Sequence, residues 1–389
     1  MSNGFDSITE WLIDSTNERT NLRLLTNELV VKLRNIGMPI DRLNLGVLAI
    51  HPEMAGYAVL WEVGMTEAVE FPIRREYLET PTYRDSPIRY VVEKRKPVYF
   101  DLHDKKGELE YPVLQEFRDK GYTQYVGFPI SFGENGIAVL TMCTANTAGF
   151  QSDHLEGVQR IFTVLRLLLN VVETKRMTRT MLRTYLGRYT ADRVLSGEIL
   201  RGEGSQIQAA IWMCDLRDFT SMTADIGSFE MIDVMNQYFD CMAQAVWDED
   251  GEILKFMGDA MLAVFQIGDQ QNAETAAHRA IRSAKTAHDN LEAVSKKRVS
   301  DGQPALRAGI SLHLGSVVYG NIGARSRLDF TVMGHAVNLV ARIQSLTGIT
   351  KEKTLFSSAI ACHYHDAISV GKHAFKGIPK PVEIFKPGT

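Results

Sequence analysis

The chain has 389 residues, 45% hydrophobic and 23% charged, with a formal net charge of −4. That length suits two or three domains, each long enough to bury its own core. The charge balance excludes a chain-wide basic excess of the kind that draws a protein to nucleic acid or an anionic membrane. The four cysteines (Cys143, Cys214, Cys241, Cys362) form no CxxC pair, and the first three sit in apolar surroundings. They read as small core residues of a reducing compartment. The opening "MSNGFDSITEW" lacks a basic-then-apolar signal pattern. The longest apolar run, "IFTVLRLLLNVV" (161–172), is too short for a membrane span and contains Arg166. The expected location is cytoplasmic, with neither a membrane span nor a nucleic-acid partner.

The first 152 residues mix helical and strand patterns. "ITEWLIDSTNERTNLRLLTNELVVKLRNIG" has helical spacing and ends at a glycine. Strand-like runs follow, "LNLGVLAIH", "GYAVLWEV", "KPVYFDL", "YVGFPISF" and "GIAVLTMCT", with helix-like "SPIRYVVEKR" and "YPVLQEFRDKG" between them. "FGENG" is a hairpin signal joining the last two strands. The pattern is α+β, a mostly antiparallel sheet with helices on one side. This order of elements resembles a GAF sensory domain, with another small sensor fold such as PAS as the alternative. The resemblance implies a regulatory N-terminal domain, residues 1–152, whose signal is open between a cyclic nucleotide or other small-molecule regulator, a metal and a protein partner.

Residues 153–204 read as a helical linker. Leu155, Val158, Phe162, Leu165, Leu169 and Val172 repeat at alternating steps of three and four. The repeat suits either a coiled-coil seam that dimerises and transmits a signal or a terminal helix packed on its own domain's sheet. Past Val172 the pattern falters at Arg176 and Arg179, and "TYLGRYTADRVLSGE" reads as a connector with two helical turns.

From residue 205 the chain changes character. "SQIQAAIWMCDL" is a continuous apolar strand, "SFEMIDVMNQYFDCMAQAVWDEDG" is helical, and "GEILKFMGDAMLAVFQ" reads as strand, tight turn, strand. A helix follows with an apolar face through Ala273, Ala277, Ile281, Ala284, His288 and Leu291. "ALRAGISLHLGSVVYGNIG" reads as two strands around Gly315, before a helix near 335–346 and short closing strands. This β-α-α-β-β-α-β opening suggests a ferredoxin-like core with helices covering a sheet.

Two carboxylates stand out. Asp215 ends the buried strand, and Asp259 lies in the "GDA" turn. Adjacent central strands could bring them together. Two bare carboxylates at close range repel, whereas a divalent cation uses both as hard oxygen ligands. The alternative is that Asp215 caps the helix starting near Phe219 and Asp259 merely shapes its turn. "CDLRDFTSM" adds a strand end, a turn and a helix start, whose free amides suit a polyphosphate.

The blocks "IWMCDLRDFTSM", "GEILKFMGDAMLAVF", "GISLHLGSVVYGNIG", "DFTVMGHAVNLVARIQ" and "FKGIPKPVEIF" occur in that order. Together they resemble the catalytic domain of a class III nucleotidyl cyclase, most like bacterial adenylate cyclases, over residues 205–389. The resemblance implies that Asp215 and Asp259 hold two metal ions, Mg²⁺ or Mn²⁺, with the Leu216 carbonyl helping. It implies that Lys255 and Thr331 read the adenine of ATP, and that Asn338 and Arg342 orient the ribose and stabilise the transition state. Phe219 and Thr220 fall at the triphosphate turn, and Lys376 matches a phosphate-binding lysine. In the family the site lies between two catalytic domains, so a chain with both half-sets implies a head-to-tail homodimer with shared active sites.

Lysine can donate to a ring nitrogen, and threonine can accept from the 6-amino group. Family guanylate cyclases typically show glutamate and cysteine at these positions, so Lys255 and Thr331 favour ATP over GTP. A guanylate or mixed-purine cyclase and a non-catalytic nucleotide-binding module are the competing readings. His335 departs from the aspartate many relatives carry there; none of the roles above falls on it. "CHYHDAISVGKH" (362–373) fits no strong zinc spacing.

Overall fold

The computed structural model describes residues 2–14, 21–49, 54–103, 109–134, 136–268 and 272–388, with backbone only for 2, 3, 224, 225 and 228. They fall into two compact units, Met1–Met181 and Leu182–Thr389. Among the described residues, no helix is long and apolar enough to cross a membrane.

The first unit runs α1 (Ser2–Asp14), α2 (Leu22–Asn35), β1 (Arg42–Leu48), β2 (Met54–Glu62), β3 (Val69–Arg74), a 3₁₀ turn (Arg75–Glu79), α3 (Pro81–Arg84), α4 (Pro87–Lys94), β4 (Val98–Asp101), α5 (Pro112–Asp119), β5 (Gln124–Phe132), β6 (Gly136–Thr144) and α6 (Ser152–Leu186). The helical pattern before residue 37 is therefore two helices. Asn21 starts the second by accepting from the Arg23 and Leu24 amides, and residues 15–20 lie outside the described set. The turn of the "FGENG" hairpin includes residue 135, also outside it.

The sheet order is β3-β2-β1-β6-β5-β4, with antiparallel pairing throughout. Strand β3 was not expected. Helices cover both faces rather than one. Leu25, Leu29 and Leu33 of α2 and Val158, Leu165 and Leu169 of α6 share one core with the sheet. On the other face Val91 of α4 and Leu114 and Phe117 of α5 pack on Tyr125, Val139 and Cys143. That second face also holds a cavity of about 610 Å³, whose lining includes Asn44, Gly46, Ala58, Phe71, Tyr83 and Thr141. The alternating stripe of α6 from Val158 to Val172 is buried in this unit's own core. Contact with the sheet continues past it: Glu173 accepts from the Tyr57 hydroxyl, and the Arg176 guanidinium lies 3.7 Å from the Tyr57 ring centroid.

The second unit continues with α7 (Arg188–Leu195), β7 (Gly204–Leu216), α8 (Phe219–Asp225), α9 (Ser228–Asp248), β8 (Glu252–Met257), β9 (Ala260–Gln266), α10 (Ala273–Ser300), β10 (Ala308–Ala324), β11 (Arg327–Met333), α11 (His335–Thr350), β12 (Thr354–Ser357), α12 (Ser358–Ala361), β13 (Ala367–His373) and β14 (Val382–Pro387). Its sheet order is β13-β14-β12-β10-β7-β9-β8, with β11 paired to β10. The four strands β10-β7-β9-β8 are antiparallel and wind as a β-α-β-β-α-β core.

Strand β7 is apolar from Ala209 to Cys214 because both its faces are buried there. Ala210, Trp212 and Cys214 meet the core of α9 and α10; Ala209, Ile211 and Met213 meet that of α11. The two strands expected around Gly315 are one, β10. Gly315 does not break it: a Cβ there would come within 2.8 Å of the Ala336 Cβ on α11, so the residue serves close helix packing.

Candidate active site

Asp215 is the penultimate residue of β7, opposite Ala260 on β9 and Gly309 on β10. Asp259 sits in the two-residue turn between β8 and β9, after Gly258 at φ +65°. The Leu216 amide donates to the Asp259 carbonyl at 3.3 Å, tying strand end to turn. Burial first, then the Asp259 carboxyl within hydrogen-bonding reach, pushes the Asp215 pKa well above the ordinary aspartate value. Asp215 Oδ1 is shielded from solvent and has no hydrogen-bond partner among the described residues. Asp215 is not the helix cap: the residue before α8 is Asp218, in the left-handed region at φ 62°. An unsatisfied carboxylate oxygen beside a second carboxylate is a donor set that fits a hard divalent cation. Among the described residues, no cluster of three or more His, Cys, Asp or Glu side chains forms a metal cage, at this place or at 362–373.

Lys255 owes its orientation to an irregularity. Ile253 pairs with Ala263 and Lys255 with Leu262, so Leu254 is the extra residue of a β-bulge. A bulge puts successive side chains on one face. Leu254 joins the core under α11, and the Lys255 ammonium reaches β11, 3.8 Å from Asp329 Oδ2. The Lys255 side chain stays 32% exposed at a cleft of about 560 Å³ that Trp247, Glu252 and Phe330 also line. Two residues beyond Asp329, Thr331 is only 6% exposed. Its hydroxyl is buried without a partner among the described residues.

Asn338 and Arg342 are one turn apart on the exposed side of α11. No hydrogen bond or ion pair joins either to Asp215 or Asp259 among the described residues. Phe219 is half-buried against the α9/α10 core, and Thr220 beside it is exposed. Lys376 is exposed in the loop from β13 to β14, at the sheet edge opposite β8. His335 opens α11 near His313, whose pKa burial drives down to about 4, with His335 adding to the effect. The structure thus joins Asp215 to Asp259 and Lys255 to the β11 strand of Thr331; it leaves Asn338, Arg342 and Lys376 facing solvent.

Residues 204–365 match the family described as Adenylate and Guanylate cyclase catalytic domain. This segment is similar to adenylate/guanylate cyclase catalytic domains. The adenylate cyclase of Anabaena cylindrica is 36% identical over 146 residues, 38% of this chain and 28% of that protein. Adenylate cyclase 1 of Rhizobium meliloti is 28% identical over 177 residues, 44% of this chain and 26% of its own length. The chain therefore spans little more than a quarter of either relative. A solved bacterial light-regulated adenylyl cyclase superposes with a TM-score of 0.50 at 18% identity, covering 67% of this chain and 85% of that one, a likeness of fold alone.

Three residues of the cyclase domain went unnoticed in the sequence. Asp329 partners Lys255. Glu252, within the acidic turn "WDEDGE", is 4% exposed and accepts from the Thr190 amide and hydroxyl and from the Tyr319 hydroxyl. That network fastens α7 to the sheet three residues before Lys255. Gly187 before α7 has φ +86°, and a Cβ there would meet the Ile253 carbonyl at 2.9 Å. Arg217 is the third. Only its place between the "CDL" and "DFT" of one block could have flagged it.

Proposed function

We propose that the chain is an adenylate cyclase, converting ATP to 3′,5′-cyclic AMP and pyrophosphate, and that two copies build each active site. The observation that carries this reading is the Asp215–Asp259 pair with its unsatisfied buried oxygen, inside a matched cyclase domain. When bound there, with help from the Leu216 carbonyl, Mg²⁺ or Mn²⁺ would acidify the ribose 3′-hydroxyl and offset triphosphate charge.

The protein's own groups then do the rest. Lys255 donates to an adenine ring nitrogen, held on that side by Asp329. The buried Thr331 hydroxyl accepts from the 6-amino group, which satisfies an atom otherwise left without a partner. From the second copy's viewpoint these two serve the site whose aspartates lie across the interface. Asn338 aligns the ribose so that its 3′-oxygen faces the α-phosphorus, and Arg342 balances charge developing on the α-phosphate. The amides around Phe219 and Thr220 and the Lys376 ammonium hold the departing pyrophosphate. Asn338 and Arg342 are exposed, with no side-chain partner among the described residues, which supports a site completed by a second copy.

The first unit is proposed as a GAF-like regulator domain, and its cavity of about 610 Å³ has the size of a small-molecule site. Incubating the purified chain with Mn²⁺ and either ATP or GTP, then identifying the cyclic product, tests the substrate. Cyclic AMP as the dominant product supports the reading. Cyclic GMP would transfer it to the guanylate alternative, and no product from either would leave a nucleotide-binding module.

A further inference from the structure

Arg217 lies midway between Asp215 and Phe219, yet its side-chain hydrogen bonds go to neither. Its guanidinium donates to the carbonyls of Thr347 at 3.2 Å, Lys351 at 3.2 Å and Glu352 at 2.6 Å. Helix α11 ends at Thr350, with Lys351 in the left-handed region at φ 61°. The last carbonyls of a helix have no partners within it, and a cation there also meets the negative end of the dipole. Arg217 is therefore the C-terminal cap of α11. Its own amide donates to the Arg307 carbonyl at 2.8 Å, which pins the stretch after Asp215 to the chain leading into β10. A second tie runs parallel: Gln344 of α11 donates to the carbonyl of Gly309, the residue opposite Asp215, at 2.9 Å.

The last turns of α11 are thus fastened to the Asp215 end of the sheet, while its first turns carry Asn338 and Arg342. In the dimer proposed above, on which this inference rests, these two sets belong to different active sites. We propose that Arg217 is a positioning residue for both sites at once: it holds the Asp215–Phe219 segment of one and the Arg342-bearing helix of the other. A planar fork is what the task requires. Three carbonyls take donors from both terminal nitrogens of one guanidinium, its Nε staying buried without a partner among the described residues, whereas a lysine ammonium keeps the charge without that fork.

Dimers with one working site separate the two roles. An Asp215→Ala copy paired with an Arg342→Ala copy leaves one complete site, with aspartates from the second copy and arginine from the first. Arg217→Gln is then added to either copy. We expect kcat per titrated site to fall about tenfold or more in both pairings, as loss of an outer supporting contact does. Affinity for 3′-deoxy-ATP, which lacks the attacking hydroxyl, is expected to fall only when the change sits on the aspartate-giving copy; calorimetry reads it. Misfolding would instead lower the number of titratable sites in both pairings and leave kcat per site unchanged, which overturns the proposal. So does a kcat within about twofold, the scatter of independent sites, when Arg217→Gln sits on the arginine-giving copy. Arg217→Lys restoring full kcat in both pairings would overturn the fork argument. If the starting pair makes no product at all, the shared-site reading fails and this inference falls with it.

Discussion

Both units keep polar groups inside their sheets, and the difference between them is instructive. In the first unit Asn44 is 8% exposed and lies beside Thr141 on the adjacent strand, facing a cavity framed by aromatic residues. In the second, Asp215 and Thr331 hold buried oxygens without partners among the described residues, and Arg183, Arg188, Glu252 and Asp329 are charged residues lining the cleft at Lys255. The first cavity is mostly apolar, with Arg42, Arg74 and Glu76 also in its lining, and such a pocket selects shape and a few fixed polar contacts. Paired carboxylates in a protected site select a cation. The first unit's polar groups line a mostly apolar cavity, and the second's include a carboxylate pair.

That contrast can be broken first at the carboxylate pair. Asp259→Ala is expected to bring cyclic-nucleotide formation to background. The same change relieves like-charge crowding on Asp215, so the midpoint of urea unfolding should not fall. Loss of activity together with loss of fold would make Asp259 a structural residue instead. Next in size, Lys255→Glu combined with Thr331→Cys should lower the ratio of kcat/KM for ATP over GTP by about a hundredfold or more, the order a site built on hydrogen bonds to its substrate achieves. An unchanged ratio would remove both residues from base recognition.

Smaller effects concern stability. Glu252→Ala leaves Thr190 and Tyr319 without their acceptor and should destabilise the second unit by about 2 to 4 kcal/mol; a shift in the urea midpoint measures it. In the first unit, burial raises the Glu173 pKa to about 7, partly opposed by Arg176. The folded state therefore holds a proton that the unfolded state releases between the ordinary glutamate value, near 4.5, and about 7. Stability should decline as pH rises through that window and level off above it. Glu173→Gln should flatten the slope, and a slope identical in the variant would dissociate Glu173 from it.

The same contrast explains what could be read from the chain. In the second unit, local order carried the message: strand, turn and helix around Asp215, and the hairpin turn around Asp259, are consecutive residues. In the first, strand alternation revealed most of the sheet. The cavity is invisible in the sequence because its lining comes from strands and helices distant along the chain. Three further features escaped for specific reasons. The side of the strand that Lys255 occupies depends on a bulge at Leu254, which alternation alone would have placed wrongly. The α6 stripe fitted both a seam and a core, and period cannot separate them. Arg217 and Glu252 are charged residues in polar stretches; their partners at Thr347, Lys351, Thr190 and Tyr319 are far away in sequence.

The proposed catalysis requires two copies that complete one another's active sites. The direct test mixes an Asp215→Ala chain with an Arg342→Ala chain, each inactive alone, and measures cyclic AMP formation after dimers exchange. Product should reappear in the mixture, with one working site per mixed dimer. Mixed dimers that form but stay silent, or either chain cyclising ATP by itself, would contradict it.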